Sequence, residues 1–166
     1  DPETGQLHID HLQCNAHFLS TYYKIFPQGD DRRHPYLEDK KIALDIDEVL
    51  ADFVGGLMSR FPEIKERASY WNDQTIKEFF PKVMDDEDFW LSLKPKVSSL
   101  PFEPSCYITS RPCDSSITER WLKINGFPVA PVYTVGLDNS KVRVARELGI
   151  DVFVDDAYHN FVELNR

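Results

Sequence analysis

Apolar positions along the chain fall into two kinds of run. Short continuous runs occur at Ile42-Ala43-Leu44, Cys106-Tyr107-Ile108, Val132-Tyr133-Thr134-Val135 and Val152-Phe153-Val154. Each is too brief for a helix and reads as a strand buried in a sheet. Between these runs the apolar spacing lengthens to three and four. Leu50, Phe53, Val54, Leu57, Met58 and Phe61 follow i, i+3, i+4, i+7, i+8 and i+11, an amphipathic helix closed by Pro62. Residues 62–104 read as mostly helical and aromatic, broken at Pro62, Pro81, Pro95, Pro101 and Pro104. Within them, Asp85-Asp86-Glu87-Asp88 reads as a solvated, helix-initiating acidic run. Ser116 and Glu119 make a capping box before a helix with apolar face Ile117, Trp121 and Ile124, stopped by Gly126. Asn139 or Ser140 caps another helix, which runs through Leu148 and stops at Gly149. Strands alternating with helices predict an α/β fold, a parallel sheet with helices on both faces.

Upstream, Leu12, Ala16, Leu19, Tyr22, Tyr23 and Phe26 give His11–Phe26 a helical spacing. Residues 27–35 are polar, charged and bounded by prolines, which reads as a linker. The expected organisation is an N-terminal helical segment and linker over 1–37 and a globular domain over 38–166.

The charge balance narrows the function. Nineteen Lys and Arg against 28 Asp and Glu leave a net charge of −9. So acidic a chain is a poor partner for nucleic acid or an anionic membrane. No apolar run approaches the length of a membrane span, and the first ten residues have no signal-peptide pattern. The absence of an initiator Met leads us to expect a fragment or processed chain. Three cysteines, Cys14, Cys106 and Cys113, argue against a disulfide framework and for a reducing, cytoplasmic compartment. There is no G-x-x-x-x-G-K-[ST], G-x-G-x-x-G, G-x-S-x-G or H-E-x-x-H motif, which lowers the weight of the corresponding nucleotide, serine-hydrolase and zinc chemistries. His8, His11, Cys14 and His17 recur at every third residue, but that step drifts around a helix and gives no two-plus-two zinc pattern.

Ligands of parallel sheets bind at the carboxyl ends of the strands. Those ends carry Asp45-x-Asp47, Thr109-Ser110-Arg111 and Asp155-Asp156, while Lys141 opens the last long helix of the pattern. Asp45 and Asp47, two apart in an extended chain, point the same way. Clustered carboxylates repel, and a divalent cation relieves them; an oxygen-only set suits Mg²⁺ alongside phosphate oxygens.

The order Asp-x-Asp, Thr/Ser, Lys, Asp-Asp at successive strand ends resembles the haloacid dehalogenase (HAD) superfamily of phosphotransferases. Asp45-Ile46-Asp47-Glu48-Val49-Leu50-Ala51-Asp52-Phe53 is similar to the opening of its 5′(3′)-deoxyribonucleotidase branch. Phe89–Pro95, Ile108-Thr109-Ser110, Asp138-x-x-Lys141 and Phe153-Val154-Asp155-Asp156 follow that branch in order and rough spacing. The resemblance covers residues 41–160 and implies a HAD-like Rossmannoid three-layer sandwich with a small helical cap, about residues 52–104, inserted after the first strand. It also implies that the sheet normally continues beyond the last Asp pair, so the C-terminus is expected to be truncated.

The implied function is Mg²⁺-dependent hydrolysis of a phosphomonoester, foremost a nucleoside monophosphate. Asp45 would be the nucleophile and Asp47 the general acid and base. Thr109, Ser110, Arg111 and Lys141 would hold the phosphate. Asp45, Asp47 through its carbonyl, Asp155 and Asp156 would hold Mg²⁺. Phe53, Trp71 and Trp90, with Tyr70 adjacent, would stack on the base. Two departures stand out. Glu48 occupies a position that is usually glycine, and Thr118 lies near a second family lysine that Arg111 would replace. The alternatives are a HAD phosphatase for other small phosphomonoesters or for nucleic-acid ends, the latter opposed by the acidic balance, and a catalytically silent interaction module, which Glu48 keeps open. The first 20 residues resemble the tail of a phage-type dATP/dGTP diphosphohydrolase-like domain, which implies fusion to, or association with, a nucleotide pyrophosphohydrolase-like domain. No membrane and no stable nucleic-acid partner is expected; a homo-oligomer stays open.

Overall fold

Four short strands build the sheet: β1 (Ile42–Leu44), β2 (Cys106–Thr109), β3 (Val132–Thr134) and β4 (Val152–Val154). The structure, a computed structural model, describes residues 39–137 and 140–164; from Lys40 onward these belong to one compact unit. The expected helix at His11–Phe26, the linker after it, and Asp138 and Asn139 lie outside the described residues. All pairings are parallel and the order is β3-β2-β1-β4. Ala43 sits opposite Cys106 on one side and Phe153 on the other. The central strands β1 and β2 are buried along their whole length, as continuous apolar runs require, while the edges β3 and β4 are partly exposed.

The chain steps from β1 to β2 to β3, then returns to the other side of β1. That reversal opens a crevice at the carboxyl ends of the strands, the usual ligand position in such a sheet. Helix α4 (Ser115–Ile124) joins β2 to β3 and α5 (Lys141–Glu147) joins β3 to β4 in the reverse direction; the right-handed crossover rule assigns two such connections to opposite faces. On the α5 face, Ala43, Cys106 and Ile108 pack with Ala145 into a small-residue core, closed by Val144, Leu148, Ile150 and Phe153.

The connection from β1 to β2 carries α1 (Phe53–Arg60), α2 (Gln74–Phe79), a single 3₁₀ turn at Phe80–Lys82, and α3 (Glu87–Ser92). Helix α1 starts three residues later than the apolar spacing predicts, because Asp52 is its N-cap and accepts from the Gly55 N–H at 3.1 Å. A Cβ on Gly55 would lie 2.0 Å from Asp52 Oδ2, so the cap requires glycine there. Leu50 is buried instead in the turn before the helix, its N–H bonded to Ile46 O at 2.8 Å.

Residues 62–104 are less helical than expected. Asp73 and Asp86 begin α2 and α3, and the stretches 62–72 and 93–105 contain no helix. Their prolines and cap residues interrupt any longer periodicity. The acidic run serves α3 as expected: Asp86 caps it, and Glu87 and Asp88 fill its first turn. Phe53 is the hub of this region, with ring centroids 5.1 Å from Trp71, 5.7 Å from Trp90 and 5.8 Å from Phe89.

Helix α4 is capped by Asp114, not by Ser116. Its buried face is Thr118, Trp121 and Leu122, and Ile124 is exposed. The Trp121 indole donates to Leu93 O at 2.8 Å, and Thr118 meets a buried arginine; these partners set the helix rotation. The last helix, α6 (Tyr158–Leu164), is tied to α5 by Ser140 Oγ donating to Glu163 Oε1 at 2.7 Å. No helix among the described residues is long and apolar enough to cross a membrane.

Candidate active site

Asp45 follows the last residue of β1, and its N–H bonds to Val154 O at 2.9 Å, which carries the ladder one step beyond the strand. The backbone then turns over Ile46–Ala51. The Ile46 N–H donates to Asp45 Oδ1 at 2.7 Å and fixes the buried carboxylate at the end of the strand. Asp155 and Asp156 follow the last residue of β4, the strand next to β1. The Ala157 N–H donates to Asp155 Oδ1 at 2.7 Å. Ser140 caps α5 and starts it so that Lys141 is its first residue.

These placements bring four side chains together. Lys141 Nζ lies 2.5 Å from Asp45 Oδ2 and 3.0 Å from Asp155 Oδ2. Carboxylate oxygens of Asp45, Asp155 and Asp156 all lie within 4.8 Å of one another, a set that could hold a metal ion. Hard carboxylate oxygens fit a divalent cation of the Mg²⁺ or Ca²⁺ type.

The electrostatics follow from that crowding. Burial raises Asp45 to about 7, and Asp155 and Asp47 add to the rise while Lys141 opposes it. Burial also raises Asp156, with Asp155 adding to it. Burial pulls the Lys141 ammonium down, but Asp45 and Asp155 outweigh it and the net shift is upward. Three acids around one ammonium leave excess negative charge, which a cation would neutralise.

Asp47 belongs to a second cluster. Arg111 Nε donates to Asp47 Oδ2 at 2.9 Å, and Arg111 Nη2 donates to Asp47 Oδ1 at 2.7 Å. The guanidinium is fully buried, 4.9 Å from the Trp90 ring centroid and 5.5 Å from that of Trp121, with Nη1 3.5 Å from Thr118 Oγ1. Arg111 was expected on a phosphate; its fork is instead turned onto Asp47. A buried guanidinium needs a carboxylate partner, and Asp47 is the acid within its reach. Thr109 is buried at the end of β2, its Oγ1 accepting from the Arg111 N–H at 3.3 Å, and Ser110 is half-buried beside it.

The three expected stacking residues separate. Phe53 and Trp90 are core residues at 0% and 1% exposure, and the Trp90 indole donates to Met84 O, so neither offers a face to a ligand. Trp71 is 36% exposed, and its Nε1 donates to Asp156 Oδ2 at 3.1 Å. It helps line a pocket of about 230 Å³ together with Glu48, Ala68, Lys96 and Asp156. A larger open groove of about 600 Å³ runs along edge strand β3, past Thr134, Ser140 and Arg143. None of the candidate site residues lines it.

Sequence reasoning missed Arg67 and Lys96, which both reach Glu48. Isolated cations in an irregular stretch carry no periodic signal. Glu48 itself has φ 59°, a left-handed conformation that favours glycine. No protein-family model matches the chain, and neither a curated protein nor a solved structure matches it.

Proposed function

We propose that the chain is a Mg²⁺-dependent phosphomonoester hydrolase of the HAD type, working through an aspartyl-phosphate, with nucleoside monophosphates as its foremost substrates. One observation carries this reading: Asp45, held by Lys141 at 2.5 Å, stands with Asp155 and Asp156 at the carboxyl edge of a parallel sheet. The HAD motif order supports it, and so does the Trp71-lined pocket that opens at Asp156.

Asp45, Asp155 and Asp156 would hold the Mg²⁺, which when bound neutralises the acids and the phosphate oxygens. Asp45 Oδ attacks phosphorus, and the bond from phosphorus to the leaving oxygen breaks. Asp47, freed from Arg111 and carrying a proton taken from solvent, gives that proton to the leaving oxygen. Water then attacks the aspartyl-phosphate, Asp47 takes a proton from it, and phosphate leaves with Asp45 restored. Lys141, Thr109 and Ser110 stabilise the phosphoryl oxygens. Asp47 must give up part of its pairing with Arg111 to reach the leaving oxygen.

The test is a screen of nucleoside monophosphates, phosphorylated oligonucleotide ends and sugar phosphates, with Mg²⁺ and with EDTA, followed by rapid acid quench. Turnover of mononucleotides that EDTA abolishes, with hydroxylamine-labile phosphate on the protein, is the expected result. Asp45→Asn should carry none of that phosphate. Full turnover in chelator, or labile phosphate on Asp45→Asn, would overturn the assignment.

A further inference from the structure

We infer that Glu48 is a positioning residue for the leaving-group side of the site: its carboxylate holds the segment bearing Trp71 in place over Asp156. The inference rests on the phosphomonoesterase reading above, because only that reading makes the pocket beside Asp156 a leaving-group pocket.

Three separate segments converge on this one side chain. Glu48 Oε1 accepts from the Val54 N–H at the start of α1 at 2.8 Å. Glu48 Oε2 accepts from Arg67 Nη2 at 2.9 Å and from Lys96 Nζ at 2.9 Å. The Glu48 side chain is only 16% exposed, so these bonds are partly shielded from water. Arg67 also donates to Asp52 Oδ1 at 2.6 Å, which makes its guanidinium a bridge between Glu48 and the α1 cap. Four residues beyond Arg67, Trp71 reaches Asp156 Oδ2. The irregular segment between α1 and α2 is therefore fastened at two points, one on the loop after β1 and one on the acid pair after β4.

The backbone at Glu48 strengthens this reading. A non-glycine residue at φ 59° is strained, and here the strained residue is the one whose side chain gathers three donors. Those donors also argue against Glu48 as a spare base, since its oxygens are occupied. Glu48 and Lys96 line the same pocket of about 230 Å³ as Trp71 and Asp156. A phosphate at the acid triad would extend its leaving group into that pocket. Glu48 thus touches the walls that receive the leaving group, not the reacting atoms. Loosening it should weaken binding of bulky leaving groups while leaving the chemical step alone.

The protein has its own reporter. Of its three tryptophans, Trp90 and Trp121 are 1% and 0% exposed and Trp71 is 36% exposed. Acrylamide quenching of fluorescence therefore reads Trp71. The variants are Glu48→Gln, Glu48→Ala, Arg67→Ala and the Glu48→Ala/Arg67→Ala pair. Glu48→Gly is added because it removes the same bonds while relieving the left-handed backbone, and so folds where Glu48→Ala does not. Quenching is measured on each, and kinetics are measured with a nucleoside monophosphate and with acetyl phosphate, a small leaving group.

The expected result is stronger quenching in Glu48→Ala and Glu48→Gly. With it should come a rise of about tenfold in the nucleotide KM, the scale of a lost charge-assisted hydrogen bond, at near-constant kcat. The acetyl phosphate KM rises less than the nucleotide KM, and Glu48→Gln falls between. Arg67→Ala should match Glu48→Ala, and the pair should add little, because both remove one network. Unchanged quenching overturns the inference. So does an equal change in KM for both substrates, which would mark Glu48 as a general structural tie. A wild-type protein that hydrolyses neither substrate removes the reading of the site instead, and the quenching alone then decides whether Glu48 holds Trp71.

Discussion

Asp47 and Arg111 form a bidentate ion pair in which the guanidinium has no solvent exposure and lies between Trp90 and Trp121. Such a pair is asymmetric in its energetics. Removing one partner strands a buried charge, whereas replacing both with apolar groups costs little. Asp47→Ala should therefore destabilise the fold by about 3–5 kcal/mol. The Asp47→Ala/Arg111→Met double variant should recover most of that loss, as read from urea midpoints at constant m-value. A double variant no more stable than Asp47→Ala would show that the guanidinium is not stranded. The candidate proton shuttle is thus also part of the core, and a loss of activity in Asp47 variants must be separated from a loss of fold. The sequence places Asp47 and Arg111 at successive strand ends but does not say that they face each other. A pairing across 64 residues depends on which strands adjoin.

At the scale of elements, the seven-residue helix α5 is the most consequential, because its first residue is Lys141. Ser140 Oγ accepts from the Arg143 N–H at 3.2 Å and donates to Glu163 Oε1 at 2.7 Å, so one hydroxyl caps α5 and ties it to α6. Ser140→Ala should cost about 1 kcal/mol, the usual worth of an N-cap. That corresponds to a fall of about 2–4 °C in Tm for a chain of this size. Ser140→Asp keeps the cap acceptor but sets a carboxylate against Glu163, so it should recover only part of the loss. A calorimetric scan of the three proteins checks this; a Ser140→Ala protein as stable as wild type would mean the cap bond contributes nothing. The strands and the strand-to-helix alternation were legible in the sequence because continuous apolar runs and 3.6-residue periodicity are local signals. The cap of α4 and the rotation of its face were not. Asp114 and Ser116 are both good caps, and the choice depends on where Trp121 and Thr118 find partners.

At the scale of the whole molecule, the acid triad couples stability to pH and, as the proposed metal site, would couple it to cations. Burial raises Asp45 in the folded state from 3.8 to about 7. A raised carboxyl favours the fold below its unfolded value, and that contribution is lost as pH rises through about 7. Asp156 is shifted in the same direction by its own burial. In EDTA the Tm component from these groups should therefore fall between about pH 4 and about pH 7. At the proposed site a divalent cation would bind the deprotonated acids, so saturating Mg²⁺ should raise Tm more at about pH 8 than at about pH 6. Thermal scans at the two pH values, with and without Mg²⁺, measure the difference. Asp45→Asn should flatten both dependences. Equal Mg²⁺ shifts at the two pH values, or no shift in the wild-type protein, would mean that the triad does not bind the cation.

Sequence alone determined the class of fold and the raw material of the site. The α/β alternation, the carboxyl-end acids Asp45, Asp155 and Asp156, and Lys141 at a helix start all follow from local pattern and from the rule that such sheets bind at one edge. Tertiary structure decided which residues share a role. It turned Arg111 onto Asp47, buried Phe53 and Trp90 in the core, left Trp71 at the surface against Asp156, and drew Arg67 and Lys96 onto Glu48. The physical reason is the range of the interactions. Periodicity and capping act over a few residues and are written in order along the chain. Burial, ion pairing and ring packing act between residues that only the folded path brings together.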